Sequence, residues 1–228
     1  MGEIKNGILS ELKGSVGHIT GRIVKGRNIL SRKPGFRKAT NDENTLKRRD
    51  KFKLTVKFGS AANLFNELKT VWQYSTPESM NYFSFFVQSN YMLTGEGVLT
   101  NRNMLTPYGG FPISTASSEV TPNSISIELN ALTGAYNFDA AFEKNVKLCA
   151  LVYFTDVLNP QAKGFDFLKV DFPVQAFQTA NPMQFTKALL LNEKALFESY
   201  GSHKVFAALV TLDENNLPVN FSSTLCIE

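Results

Sequence analysis

Ser124-Ile125-Ser126-Ile127-Glu128-Leu129 alternates strictly between polar and apolar side chains. Successive side chains of a β-strand point to opposite faces, so this stretch predicts a strand with one face in a core and the other in water. Further apolar stretches bounded by turn-forming residues predict more strands, at residues 110–114, 146–154, 165–170, 183–190, 205–212 and 219–227. About seven strands in about 120 residues predict a two-sheet sandwich of the immunoglobulin or fibronectin type over residues 97–228. Residues 185–200 leave a short helix open as the alternative.

Before the predicted sandwich, the apolar spacing becomes that of helices. Apolar residues recur every three or four positions, which predicts a helix with Thr40 or Asn41 as its N-cap: Leu54, Phe58, Ala61, Phe65, Leu68 and Trp72. Alternation within residues 52–58 leaves a strand open for the first half of this segment. Thr76 followed by Pro77 predicts a second helix that runs to about residue 93 and is buried on nearly every side. The helical segment is therefore expected at residues 41–96.

Residues 1–40 form a glycine-rich arm. Glycines interrupt the chain every few residues and are separated by short apolar pairs, a pattern that predicts turns and short hairpins with strands at 18–20 and 22–25. Too few apolar groups are present for such a piece to be stable alone, so we expect the arm to dock on a partner. The chain as a whole is predicted to be mainly β with a helical N-terminal part, an α+β chain.

The net charge of +4 hides a strong asymmetry along the chain. Residues 1–60 hold 15 Lys/Arg and 5 Asp/Glu, a net of +10, whereas residues 61–228 hold 9 and 15, a net of −6. Such segregation predicts that the first quarter meets something negative, either nucleic acid or the acidic body of a neighbouring copy. The candidate docking arm comprises Gly14, Gly17, Gly21, Arg22, Lys25, Gly26, Arg27, Arg32, Lys33 and Pro34. The candidate basic helix face comprises Lys47, Arg48, Arg49 and Lys51.

The residue patterns of common enzymes are missing from the sequence. It contains no G-x-S-x-G, P-loop or H-E-x-x-H motif, and no G-x-G-x-x-G that opens a βαβ unit. Two histidines are too few for a metal site built with them, and both cysteines, Cys149 and Cys226, lie in apolar runs typical of buried thiols. We therefore expect no enzymatic activity, no cofactor and no metal. Because no apolar leader or 18-residue apolar span is present, we also expect no membrane partner and assembly in a cytoplasm-like compartment.

The arm resembles the N-terminal signature of an uncharacterised family that occurs in Bacteroidota and in phages that infect them. The similar residues are Gly14-Ser15-Val16-Gly17-His18-Ile19-Thr20-Gly21, Lys25-Gly26, Arg32-Lys33-Pro34, Thr40 and Arg49-Asp50-Lys51-Phe52. Members of that family run G-K-V-G-x-V-V-G, K-G, R-x-x-P and R-x-K-F, followed by a β-rich remainder. The family has no established activity, so the resemblance implies no site residue; its phage context implies a virion component such as a ring, collar or tail-associated protein.

These features favour a non-catalytic structural protein of a phage particle, located in the virion, whose partners are copies of itself and other virion proteins. The alternative is a nucleic-acid-associated protein that uses the basic first quarter of the chain. A bacterial surface or sugar-binding sandwich ranks below both, because the sequence lacks the signal peptide expected of it.

Overall fold

The computed structural model describes residues 2–3, 13–24, 26–33, 35, 42–134 and 137–228. The chain divides into two compact units, Met1–Asp42 and Glu43–Glu228. As predicted, it is mainly β, and three of the four helices in the described residues precede the strands of the larger unit.

The smaller unit contains an antiparallel four-stranded sheet. Its strands are β1 (Gly2–Glu3), β2 (Gly14–Val16), β3 (Ile19–Val24) and β4 (Arg27–Arg32), in the order β1-β4-β3-β2. Gly17 and Gly26 occupy the β2–β3 and β3–β4 turns with φ of 56° and 76°. Left-handed backbone of this kind costs glycine little, which explains the glycines at both turns. The two strands predicted at 18–20 and 22–25 are a single strand, because Gly21 pairs with Leu30 within β3 and does not form a turn. We call this unit's sheet the arm sheet.

Three helices open the larger unit, and two antiparallel sheets follow. The helices are α1 (Glu43–Ala62), α2 (Asn66–Ser75) and α3 (Tyr82–Tyr91). The smaller sheet has the order β10-β6-β5 and consists of β5 (Thr115–Val120), β6 (Ser124–Leu129) and β10 (Met183–Ala188). The larger sheet has the order β12-β11-β7-β8, with β13 paired to β11 and β9 paired to β7. Its strands are β7 (Asn145–Val157), β8 (Asp166–Asp171), β9 (Gln175–Ala176), β11 (Tyr200–Leu212), β12 (Pro218–Phe221) and β13 (Leu225–Ile227). Helix α4 (Leu191–Ser199) connects β10 to β11.

The larger sheet separates two hydrophobic cores. On one face of β7, alternate residues such as Leu148 and Val152 pack with Ile125 and Phe185 from the smaller sheet. The residues between them, such as Leu151, pack on the opposite face with side chains of α1, α2 and α3. Strands covered on both faces read as continuous apolar runs, which is why β7 and β11 show no polar alternation in their centres. The body is therefore a helix layer, a large sheet and a small sheet.

The predicted first helix is two helices. Every residue of its apolar seam is buried, but α1 ends at Ala62 and α2 begins at Asn66. Between them, the backbone of Phe65 is extended (φ −92°, ψ 115°), which turns its side chain into the core and leaves Leu64 61% exposed. The predicted caps Thr40 and Asn41 lie outside the described residues.

The second predicted helix begins later than expected. Thr76 is extended (φ −84°, ψ 131°) and ends α2, because the residue before a proline is disfavoured in the helical region. The N-cap of α3 is Asn81, whose Oδ1 accepts a hydrogen bond from the Phe83 backbone at 2.9 Å. The expectation that this helix is buried on nearly every side is also wrong, because Ser84 and Gln88 are exposed.

Most predicted strands are present, with three differences. Residues 110–114 form only an isolated bridge, between Phe111 and Ser222, whereas β5 and the short β9 were not expected. Residues 219–227 divide into β12 and β13, because the hydroxyl of Ser222 accepts from the Leu209 backbone at 2.8 Å and interrupts the pairing. The predicted strand 183–190 stops at Ala188, and the helix left open for 185–200 occupies Leu191–Ser199. Among the described residues, no helix is long and apolar enough to span a bilayer.

Candidate docking surfaces

One face of the arm sheet carries Arg32 and three apolar side chains that are exposed to solvent. Ile19, Gly21 and Ile23 alternate along β3 and therefore lie on one face of the sheet. Val16, the partner of Ile19, and Leu30, the partner of Gly21, lie on the same face. Val16, Ile19 and Ile23 are 59%, 41% and 45% exposed. Among the residues of β2, β3 and β4, only Gly21 and Asn28 are buried, and both lie on this face. A sheet of this size needs one well-covered apolar face to be stable, so the open face is a strong candidate for docking.

The opposite face of the arm sheet carries polar and basic side chains beside Val24 and Ile29. The register places Ser15, Thr20 and Ser31 there together with Arg22 and Arg27. Ser15 Oγ and Thr20 Oγ1 lie 3.0 Å apart in a cross-strand hydrogen bond. Residues 13–35 contain six Lys/Arg and no Asp/Glu, so a ligand of this unit is expected to be acidic.

The residues predicted for the docking arm therefore belong to one sheet and its turns. The structure places eight of the ten in or beside the arm sheet: Gly14, Gly17, Gly21, Arg22, Gly26, Arg27, Arg32 and Lys33. The remaining two, Lys25 and Pro34, lie outside the described residues.

The predicted basic helix face occupies the first half of α1. Lys47 lies 3.0 Å from Glu43 and 3.6 Å from Glu96, and its hydrogen bond with Glu43 raises the pKa of its ammonium. Arg48 Nε donates to the Asn44 carbonyl at 3.2 Å. Lys47 and Arg48 line an open pocket of about 290 Å³ with Asn44, Lys51 and Glu96. Since Glu96 lines this pocket and lies close to Lys47, part of the positive charge there is already compensated.

An apolar groove between α1 and α3 is a surface that the sequence-based expectations do not contain. It is an open groove of about 560 Å³, which we call the α1–α3 groove, lined mainly by Phe52, Val56, Phe83, Val87, Tyr91 and Met92. Phe52 is 55% exposed and Met92 is 79% exposed. An exposed apolar surface of this kind typically marks an interaction site.

The two helices that line this groove, α1 and α3, pack closely at Gly59. A Cβ atom at Gly59 would lie 2.9 Å from Phe86 and 3.2 Å from Phe83, so the glycine allows the two helices to approach. At the open end, the Lys51 ammonium lies 5.0 Å from the centre of the Tyr91 ring, a cation–π contact that gives the groove a basic rim. In the sequence, the spacing of Phe83, Val87 and Tyr91 at intervals of four could have indicated an apolar stripe along one side of α3.

A cluster of ion pairs joins α2 to the larger sheet. Lys147 Nζ lies 2.8 Å from Glu67 and 2.9 Å from Asp171, and Lys169 lies 3.1 Å from Asp171. Burial disfavours the charged form of Lys147, but its hydrogen bonds to both carboxylates outweigh burial and raise its pKa. Burial likewise acts against ionised Asp171, but hydrogen bonds from the two lysines hold its pKa below its usual value. Each member has a partner within the body, so the cluster is structural.

Other titratable groups are also accounted for by packing. Burial lowers the pKa of His203, whose ring lies against Phe154 and Phe197. Burial raises the pKa of the Cys149 thiol far above its usual value and that of Cys226 to about 11. Across the described part of the chain, no group of three or more His, Cys, Asp and Glu side chains is arranged to hold a metal ion.

Comparisons with known proteins show no relative that identifies the chain. No family model matches it, and no curated protein matches it. Among solved structures, part of the chain is similar to a selenomethionine-labelled β-glucosidase from Kluyveromyces marxianus, with 11% sequence identity and a TM-score of 0.26. The match covers 62% of this chain and 16% of that chain. A similarity this weak supports no statement about fold or function.

Proposed function

We propose that the chain is a non-catalytic structural protein of a phage particle that assembles with copies of itself into a symmetric oligomer, such as a ring, collar or tail-associated layer. Its partners are other copies of the chain and neighbouring virion proteins. The assignment to a phage particle is supported by the resemblance of the arm and the first turns of α1 to a family found in Bacteroidota and their phages.

The observation that carries the proposal is the open apolar face of the arm sheet. Val16, Ile19 and Ile23 are each more than two-fifths exposed, and strands β2, β3 and β4 bury only Gly21 and Asn28. Burying apolar surface yields roughly 25 cal/mol per Å², so covering this face would stabilise both the arm sheet and the contact that covers it. A surface on another subunit can supply that cover.

We further propose that the two sheets of the body form a sandwich of the fibronectin type. In that fold, the first, second and fifth strands make one sheet, and the third, fourth, sixth and seventh make the other. Counting from β5, and taking β12 and β13 as one interrupted strand, the observed sheet orders β10-β6-β5 and β12-β11-β7-β8 agree with this division. The short β9 is an addition, and the helix layer covers the face that such sandwiches leave to solvent. Modules of this type commonly present surfaces to partners.

Native mass spectrometry of the full chain tests self-assembly. We expect a defined oligomer, a multiple of the 25.4 kDa subunit. Replacing Ile19 and Ile23 with serine is expected to convert most of it to smaller species, because both side chains lie on the open apolar face. Val24→Ser is the matched control, since Val24 is 42% exposed on the adjacent position but lies on the opposite face. A full chain that stays monomeric at every concentration would exclude the self-assembly proposal.

Presence in the particle needs a separate measurement. Peptides of this chain should be found in purified particles of a phage that encodes it, in a fixed copy number relative to the other structural proteins. Particles that lack the chain but are otherwise complete would contradict the virion assignment.

Nucleic-acid association is the second candidate, and the exposed arginines of α1 favour it. Arg49 is exposed on α1 next to Arg48, and α1 holds six Lys/Arg against two Asp/Glu. Proteins that bind phosphates through such charges lose affinity steeply as salt rises. Fluorescence anisotropy with a duplex DNA should then show binding that weakens with salt and is reduced by Arg48→Ala with Arg49→Ala. Flat titrations at low salt would eliminate this candidate.

A further inference from the structure

Two apolar surfaces of the larger unit lie in the layers on either side of its large sheet. The α1–α3 groove belongs to the helix layer, whose core residues pack on the face of β7 that carries Cys149 and Leu151. Helix α4 packs on the other side, where Phe197 makes an edge-to-face contact with Phe154 at 4.9 Å. The N-terminus of α4 carries Leu190 and Leu191, which are 64% and 87% exposed. We call this pair the leucine knob.

The leucine knob is held in place by fixed polar contacts. The Glu193 carboxylate accepts a hydrogen bond from the Leu190 backbone at 2.7 Å and one from Lys187 Nζ at 3.0 Å. On the other side of α4, Lys194 Nζ donates to Asn123 Oδ1 at 2.9 Å. The two leucines are therefore presented to solvent by a helix end whose position is set before any partner binds, which lowers the entropic cost of a contact.

The layers that carry the two surfaces have net charges of opposite sign. α1, which forms one wall of the groove, has six Lys/Arg and two Asp/Glu, a net of +4. The smaller sheet and α4, residues 115–129 and 183–199, have four Asp/Glu and two Lys, a net of −2. Within these residues, Lys187 is paired with Glu193, so the net of −2 comes from Glu119, Glu128 and Glu198 against Lys194. Opposite charges on opposite layers favour contact between the helix side of one copy and the α4 side of the next.

We propose that the leucine knob of one copy inserts into the α1–α3 groove of the next copy. The occupant of the groove is thus a second copy of this chain, and the inference rests on the self-assembly proposed above. Because knob and groove are different surfaces, the contact is heterologous, and its repetition closes a ring when the rotation between copies permits. It also specifies the direction of assembly, which the arm sheet alone does not.

Two charge-introducing variants separate the halves of this contact. The groove variant carries Phe52→Glu and Met92→Glu, and the knob variant carries Leu190→Glu and Leu191→Glu; all four side chains are more than half exposed. Leu217→Glu is the matched control, because Leu217 is 60% exposed in the turn between β11 and β12. Circular dichroism and thermal unfolding establish that each variant is folded. Sedimentation velocity then measures self-association.

Each variant alone is expected to associate at least tenfold more weakly than the wild type, whereas the Leu217 variant assembles normally. An equimolar mixture of the groove and knob variants is expected to associate more strongly than either variant alone. In that mixture, each pair of unlike variants restores one contact between an intact knob and an intact groove. Raising the salt concentration should weaken wild-type association, since the complementary charges are screened.

Several results would overturn the inference. If the groove and knob variants assemble like the wild type, the knob-to-groove contact is excluded, but self-assembly through the arm is not. If the wild type is monomeric, both proposals are excluded. Loss of assembly in the groove variant alone, with no rescue in the mixture, would indicate a symmetric groove-to-groove contact instead. Stronger association after removal of residues 1–42 would assign the groove to the arm of the same chain.

Discussion

Replacing Asn90 with alanine is expected to destabilise the body more than its size suggests. Asn90 is fully buried on α3, where its carboxamide bonds to both backbone groups of Met104. Oδ1 accepts from Met104 N at 2.7 Å, and Nδ2 donates to Met104 O at 3.1 Å. The same Oδ1 accepts from Asn103 Nδ2 at 3.2 Å, and Asn103 in turn donates to Thr94 at 2.9 Å. One side chain thereby holds the segment after α3 against the helix layer.

The magnitude follows from the groups that the substitution leaves without partners. Alanine removes the bonds to the Met104 N–H and C=O, and each unsatisfied buried group costs about 1–3 kcal/mol. Two such groups give a loss of about 4 kcal/mol, from which the higher helix propensity of alanine subtracts about 0.6 kcal/mol. We therefore expect the free energy of unfolding to fall by about 3 kcal/mol.

Urea unfolding monitored by circular dichroism measures this loss. With a slope of about 3 kcal/mol per molar urea, the midpoint should fall by about 1 M at unchanged slope. Asn66→Ala is the matched control, because Asn66 is exposed at the start of α2. Its free energy of unfolding should stay within about 0.5 kcal/mol of the wild-type value. Equal midpoints for the two variants would refute the structural role of the Asn90 carboxamide.

Three further predictions concern a close backbone approach, an ion pair and the cysteines. Gly110→Ala should destabilise the protein by about 2 kcal/mol or more, because the new Cβ atom would lie 2.6 Å from the backbone oxygen of Ser222. In the same urea assay, Gly164→Ala is the control and should be near neutral, because a Cβ atom at Gly164 meets nothing within 4 Å. Asp171→Asn should lower stability by up to about 1 kcal/mol at pH 7, since this carboxyl is partly exposed. Because the pKa of Asp171 is lowered in the folded protein, its contribution to stability is present above the usual carboxyl pKa and is lost as pH falls through the folded pKa. The thermal unfolding temperatures of the variant and the wild type should therefore converge as pH falls through that range. A difference that stays constant with pH would contradict the ion pair. Native Cys149 should resist a thiol reagent at pH 8 until the protein unfolds, and Cys226, with its pKa raised to about 11, should react slowly; rapid labelling of both would contradict their burial.

The strands that the sequence predicts well are those whose own residues determine burial. The apolar runs at β7 and β11 appear at nearly the expected positions, because a run of large apolar residues must be covered wherever it lies. β5 has no such signal, since Thr-Ala-Ser-Ser-Glu-Val contains a single large apolar residue. Its strand conformation comes from pairing with β6, a long-range effect that no local pattern reveals.

Some features of the candidate surfaces can likewise be predicted from local sequence, and others cannot. The charge of the arm and of α1 can be read from the sequence, because charge depends only on residue type. The α1–α3 groove depends on how α3 packs against α1, an approach that Gly59 permits. The exposure of Leu190 and Leu191 depends on the end of β10 at Ala188, two residues before its predicted end. The surfaces are therefore formed by tertiary contacts, although the apolar residues that line them can be identified in the sequence.

The two units differ in how much of their own apolar surface they bury, and this difference bears on the kind of assembly that we propose. β7 and β11 are covered on both faces by side chains of the body itself, so the body can be folded before it meets any partner. The arm sheet leaves Val16, Ile19 and Ile23 open, so the same physical requirement can be met only by further contacts. If the chain assembles as proposed, its body can fold before the arm docks, and docking then adds the remaining stabilisation. The proposed assembly would therefore depend on covering the arm sheet and would not require refolding of the body.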